Sequence, residues 1–164
     1  MNIKAGVLSD THLLQPDRHF RQLVDQCFAE CDIIIHAGDL TDISVVQAFA
    51  GKTLYAVQGN MCSHEVQSTF PLSRTFSLGR FKVGLTHGAR LGFDIESRLW
   101  EIFPEVDCMI YGHTHRPVCH TVGSVLIVNP GSFQSTGRYG ASGTYAILEA
   151  ADTLTGTIHS LPCN

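Results

Sequence analysis

Gly6–His12 reads GVLSDTH and Ile33–Leu40 reads IIIHAGDL. Each is a short apolar run that stops at a small residue and then presents ionisable side chains, Asp10 and His12 in the first and Asp39 in the second. Between them, Asp17–Glu30 sets Phe20, Leu23, Val24, Cys27 and Phe28 at helical spacing, which predicts an amphipathic helix flanked by strands at Ile3–Ser9 and Asp32–His36. Strand, helix and strand make a βαβ unit, so the two strands are expected to run parallel. A short helix over Ile43–Phe49 and a strand over Thr53–Val57 continue the alternation, and this first third looks doubly wound.

The pattern changes beyond Asn60. Arg74–Ser77 and Phe81–Thr86 flank Leu78-Gly79-Arg80, which predicts an antiparallel hairpin. A helix over Asp94–Phe103 follows, with Asp94 as N-cap and Ile95, Leu99 and Ile102 on one face, and then a strand over Asp107–Tyr111. Strands near Pro117–Val122, Val125–Val128, Thr144–Leu148 and Thr155–Ser160 come last, with turn signals at Gly123, Asn129-Pro130-Gly131 and Gly137–Gly143. Parallel units followed by a strand-rich half predict two sheets packed face to face with helices outside, in one domain over 1–164.

Composition narrows the function classes. The 164 residues are 44% hydrophobic and 16% charged with a net charge of −4, so no basic footprint for a nucleic-acid polymer exists. No apolar stretch approaches the roughly 18 residues of a membrane span, and Met1 leads directly into the run at Ile3, which predicts a cytoplasmic protein with no membrane contact. Six cysteines, Cys27, Cys31, Cys62, Cys108, Cys119 and Cys163, form no CxxC pair and are expected to be reduced.

Three more strand ends carry ligand-type residues: LYAVQGN ends at Asn60, VGLTHG carries His87, and CMIYGHTH carries His113 and His115. Strand carboxyl ends of an open α/β sheet converge on one crevice, so five segments can deliver Asp10, His12, Asp39, Asn60, His87, His113 and His115 to one place. Carboxylate, amide and imidazole donors suit Mn, Fe, Zn, Ni or Co better than Ca. Seven ligands are too many for one ion. Asp39, in the middle of the ligand order, is the natural bridge between two cations about 3.5–4 Å apart. Gly38, Gly59, Gly88 and Gly112 each adjoin a ligand position and allow close approach to an ion or phosphate.

The segments SDTH (Ser9–His12), HAGDL (His36–Leu40), QGN (Gln58–Asn60), THG (Thr86–Gly88), YGHTHRP (Tyr111–Pro117) and NPGS (Asn129–Ser132) resemble the calcineurin-like metallophosphoesterase superfamily, in its small bacterial and archaeal phosphodiesterase branch. The resemblance implies an α/β (α+β) fold, a four-layer αββα sandwich with two mixed sheets. It implies Asp10, His12, Asp39 and His115 as ligands of one divalent metal and Asp39, Asn60, His87 and His113 as ligands of the other, with Mn first among the candidates and Ni, Co, Zn or Fe behind it. Asp39, Asn60 and His113 are then also the catalytic residues, and a hydroxide bridging the ions attacks a small phosphodiester without a protein nucleophile. A homodimer is compatible with the family.

Two positions depart from the family pattern. Where many relatives carry His after Gly-Asn, this chain has Met61, which cannot protonate a leaving alkoxide; such an acid contributes about 10²–10⁴-fold. His64 or His36 are the candidates to replace it. Cys62 stands where the branch often has Asp, and is expected to be a plain thiol, a soft ligand or a redox-sensitive position. Arg116 has the planar fork that suits phosphate. His36 is expected either to face the cleft or to be a hydrogen-bonded support, and Asn129 and Ser132 to build the turn first and support the site second, whereas His19, His120 and His159 have no motif around them; Trp100 and Phe103 belong to the core or to a dimer face. Two alternatives stand beside the phosphodiesterase: a non-catalytic scaffold like the retromer subunit of this fold, or a phosphomonoesterase or dinucleotide polyphosphate hydrolase.

Overall fold

The computed structural model describes residues 2–134 and 142–162. Its strands are β1 (Ile3–Leu8), β2 (Ile33–His36), β3 (Thr53–Ala56), β4 (Ser73–Leu78), β5 (Phe81–Thr86), β6 (Cys108–Ile110), β7 (Val118–Val122), β8 (Val125–Asn129), β9 (Thr144–Ala150) and β10 (Leu154–Ser160). Its α-helices are α1 (Arg18–Cys27), α2 (His64–Thr69) and α3 (Ile95–Ile102), and Ile43–Phe49 is a 3-10 helix. The strands form two five-stranded sheets, in the orders β10-β9-β1-β2-β3 and β4-β5-β6-β8-β7. Both are mixed: β1, β2 and β3 are parallel, as are β5, β6 and β8, while β9, β10, β4 and β7 run antiparallel to their neighbours.

Alternation along the strands explains the layering. Val7, Ile35, Ala146 and Leu148 of the first sheet face Val83, Leu85, Ile110 and Val128 of the second in one buried cluster. Their neighbours Leu8 and Ile34 point the other way, onto Phe20, Leu23 and Val24 of α1, Val45 and Phe49 of the 3-10 helix and Val66 of α2. Met109 and Ile127 likewise turn outward onto Leu99 of α3. Because a strand sends successive side chains to opposite faces, each sheet is buried on both, giving helix, sheet, sheet and helix layers. The first third is therefore not doubly wound: its helices all cover one face, since the other is taken by the second sheet.

The helices are seated by one device used twice. Phe28, the C-cap of α1, occupies the space a Cβ at Gly6 would fill; Phe103, the C-cap of α3, does the same over Gly84, where a Cβ would lie 2.5 Å from the ring. Phe28 is fully buried and stacks on Phe133 at 5.6 Å between ring centroids, so Phe28→Ala costs about 3–5 kcal/mol.

Several boundaries differ from expectation. α1 is shorter than Asp17–Glu30 because Asp17 is its N-cap, accepting from the Phe20 N–H at 2.8 Å, and the chain leaves the helix at Phe28. Asp94 caps α3 as expected, but Ile102 is exposed and Phe103 takes the inward place. α2 was not foreseen. The hairpin at Gly79-Arg80 is antiparallel as predicted. Phe103 is core, and Trp100 packs half-buried against the same cluster. Cys27, Cys31, Cys62, Cys108 and Cys119 are all free. Cys163 and most of the expected turn over Gly137–Gly143 lie outside the described residues.

Candidate metal centre

The loops that leave β1, β2 and β3 in one sheet and β5 and β6 in the other meet at a common end. Backbone hydrogen bonds tie them: the Asp10 N–H donates to Gly38 O at 2.9 Å, the His12 N–H to Asp39 O at 3.0 Å and the Gly112 N–H to His87 O at 3.1 Å. Asp10, His12, Asp39, His113 and His115 all have positive φ, between 48° and 68°. Asp and His tolerate the left-handed region better than most residues, but each such non-glycine conformation costs of order 1–3 kcal/mol, and the clustering of five marks a site over-determined by its surroundings.

Each carboxylate has one oxygen tied down and one presented. Asp10 Oδ2 accepts from the Ser9 hydroxyl and, at 3.1 Å, from the His113 N–H. Its Oδ1 then lies 3.2 Å from His115 Nε2, 3.6 Å from His12 Nε2 and 3.9 Å from His87 Nε2. Asp39 Oδ1 accepts from the Met61 N–H at 2.7 Å, leaving Oδ2 3.2 Å from His87 Nε2 and 3.8 Å from His12 Nε2. The glycines make room: a Cβ on Gly59 would collide with Asp39 Oδ1, and one on Gly112 would collide with the Ser9 hydroxyl and lie 3.0 Å from Asp10 Oδ2. Gly38 serves His87 in the same way, but Gly88 faces Ile95 and has no part in the site.

The imidazoles show what such a pocket holds. His87 Nδ1 lies 2.7 Å from Ala37 O, which can only accept, so Nδ1 carries the proton. Nε2 then faces Asp39 Oδ2 and Asn60 Oδ1, the latter at 3.1 Å, an array satisfied by a second proton or by a cation. His12 Nε2 is buried and has no hydrogen-bond partner among the described residues although it points between two carboxylates. An orphaned imidazole nitrogen in that position fits a metal ion.

Ligand atoms within 4.8 Å of one another fall into two groups, Asp10 with His12 and His115, and Asp10 with Asp39 and His87. Asp10, rather than Asp39, is common to both, because its free oxygen points at three imidazoles. Asn60 joins through His87, and the His113 ring lies 5.3 Å from the His87 ring, so all seven expected residues meet at one end of the sandwich.

Charge is balanced internally. Burial opposes ionisation of Asp10, but the neighbouring imidazoles of His12 and His87 hold its pKa below the ordinary value. For Asp39 the same opposition is outweighed by His87 and the Met61 N–H. Asp10 raises the pKa of His12; His87 is raised too, its burial offset by Asp39 and Asp10. Burial, with the charge of His87, lowers the pKa of His113.

A second layer positions these groups. His36 is fully buried, accepts from the Gly38 N–H at 3.2 Å through Nδ1 and meets Thr11 Oγ1 at 3.2 Å through Nε2; burial pushes its pKa down to about 4. It braces two ligand loops and is not placed to protonate a substrate. The Asn129 amide donates to Gly112 O at 2.9 Å and Thr114 Oγ1 at 3.0 Å, and Ser132 Oγ donates to Asp10 O at 3.0 Å. Cys62 Sγ accepts from the Gly59 N–H at 3.2 Å, a turn contact, and belongs to neither ligand group. His120 pairs with Glu96 and His159 stacks on Tyr145, both away from the ligand groups, while His19 and Arg116 are exposed. The Met61 N–H was missed from sequence, since a backbone donor leaves no residue-type signal.

Residues 3–153 match the model of the calcineurin-like phosphoesterase superfamily domain. A Methanothermobacter thermautotrophicus protein named "Probable metallophosphoesterase" is 36% identical over 132 residues, covering 77% of this chain and 75% of that one. A phosphodiesterase of Methanocaldococcus jannaschii is 27% identical over 146 residues, covering 79% and 83%. Among solved structures, vacuolar protein sorting 29 of Cryptosporidium parvum superposes with a TM-score of 0.76 at 16% identity over 99% of both chains, a likeness of fold. With its family model matched over nearly its whole length, the chain belongs to the calcineurin-like phosphoesterase superfamily.

Proposed function

We propose that this protein is a dinuclear metal-dependent phosphodiesterase acting on small phosphodiesters, with Mn as the ion expected to fill the centre and the cytoplasm as its location. Asp10, His12 and His115 would hold one ion and Asp39, Asn60, His87 and His113 the other, with Asp10 close to both groups. The observation that carries this reading is the pair of carboxylates that each present one free oxygen to imidazoles, one of which, His12, has an orphaned buried nitrogen. Divalent ions bound there would supply Lewis acidity to the phosphoryl oxygens and lower the pKa of the attacking water.

The chain's own residues set the rest. Ala37 O fixes the His87 tautomer, Met61 N–H and Ser9 orient the carboxylates, and Asn129 holds the loop of His113 and His115. Met61 itself is 56% exposed and offers no proton, His36 is sealed in, and His64 opens α2 as an exposed residue that belongs to neither ligand group. Turnover should therefore depend steeply on the leaving group: replacing 4-nitrophenolate by an alkoxide is expected to cost at least the roughly 10²–10⁴-fold a general acid supplies.

The test is hydrolysis of bis(4-nitrophenyl) phosphate beside 4-nitrophenyl phosphate by metal-stripped protein given Mn, Ni, Co, Zn or Mg, with Asp39→Asn as control. Diester turnover that requires metal and disappears in the control is expected. Folded protein with no turnover under any ion would overturn the reading and favour a scaffold, the alternative suggested by the fold it shares with vacuolar protein sorting 29.

A further inference from the structure

Beside the candidate centre lies a cavity of about 230 Å³ whose wall includes Asn60 and His87. Leu72, Leu91, Ile102 and Arg90 are also part of that wall. The cavity is thus built between the loop after β3, the start of β4, the loop after β5 and the end of α3, all fixed elements of the fold.

Its walls ask for an apolar occupant. Two of the polar side chains there are already engaged: Thr86 Oγ1 donates to Leu72 O at 3.1 Å, and the Gln58 amide donates to Gln67 O at 3.1 Å and Phe70 O at 2.9 Å. Leu72 and Ile102 stay 48% and 37% exposed, apolar surface that a ligand would cover. The volume is below the roughly 300–1,000 Å³ of sites for drug-sized ligands, so it suits one substituent and not a whole large molecule. Arg90 adds a planar guanidinium, which stacks on the face of an aromatic ring better than on an alkyl chain.

We propose that this cavity receives the aromatic ring of one ester substituent, so that the substrates are phosphodiesters carrying a single-ring group next to the phosphate. The inference rests on the phosphodiesterase reading and adds to it the chemical class of one substrate arm. The phosphate lies at the Asn60 and His87 edge, and the ring lies against Leu72, Leu91 and Ile102.

The experiment compares phenylphosphonate with methylphosphonate by calorimetry on Mn-supplemented protein, in wild type and in Leu72→Trp and Ile102→Trp, with circular dichroism confirming the fold of each variant. Phenylphosphonate is expected to bind about tenfold tighter or more, which burial of roughly 60 Å² of ring surface already provides. Either Trp should fill the cavity and cancel that preference while methylphosphonate binding stays unchanged. Equal affinities in wild type, or a preference that survives both Trp variants, overturns the ring pocket while diester turnover leaves the phosphodiesterase standing. Absence of binding by both phosphonates together with absence of diester turnover overturns both.

Discussion

The two sides of the candidate centre are built differently. Asp10, Asp39 and His87 are sealed, with side-chain exposures of 0%, 3% and 3%, whereas His12 and His115 retain 28% and 37%. On the sealed side, backbone groups fix the ligands: Met61 N–H holds Asp39 and Ala37 O holds His87. On the open side, His115 depends on a loop that Asn129 braces. In the dinuclear reading proposed above, the sealed side would hold its ion more tightly than the open side, where solvent and substrate arrive, and Asp10 is common to both ligand groups.

Breaking the link should have the largest effect. Asp10→Asn removes the carboxylate common to both ligand groups, so metal analysis should find both ions lost. Diester turnover should drop by about 10³-fold or more, since each 1.36 kcal/mol of lost transition-state stabilisation is about tenfold and metals supply several kcal/mol.

His36 braces both sides, through Thr11 on one and Gly38 on the other, and it does so as a neutral ring. Its folded pKa is depressed to about 4 by burial, against about 6.5 in the unfolded chain, so below pH 6.5 the unfolded state binds the extra proton. The stability it contributes is present above about pH 6.5 and is lost as pH falls towards 4, by about 3 kcal/mol at the limit. Urea titrations of metal-free protein across that range should show the loss in wild type, and His36→Gln should flatten it.

Asn129→Ala sharpens the contrast with a smaller effect. It loosens the loop that carries His115 of the open side and His113 of the other but leaves the Met61 and Ala37 contacts, so the weaker ion should lose about 10–100-fold in affinity while the tighter one, held also by the fixed Asp39 and His87, loses less. A Mn titration by calorimetry resolves the two; equal weakening of both would mean that the sides are not separately supported.

Much of this was legible in the sequence because strand ends and ligand residues coincide. Val7 and Leu8, or Ile34 and Ile35, are apolar on both faces, which already implies sheets covered on two sides, and the ligand residues follow directly. α2 was not legible: of HEVQST only Val66 is buried, so no apolar period marks it. Nor was the one-sided placement of the first helices, which depends on the second sheet occupying the other face. The sharing of Asp10 was hidden for a related reason. Chain order put Asp39 in the middle, but the nearness of Asp10 to both ligand groups comes from Ser9 and the His113 N–H, which tie one oxygen and turn the other toward His12, His87 and His115.

The most direct test of the linked centre is electron paramagnetic resonance of metal-stripped protein titrated with Mn. The account predicts an uncoupled Mn signal up to one equivalent, as the sealed side fills, and a spin-coupled pair at two equivalents that Asp10→Asn abolishes. Saturation at a single ion, or two ions without coupling, would contradict it.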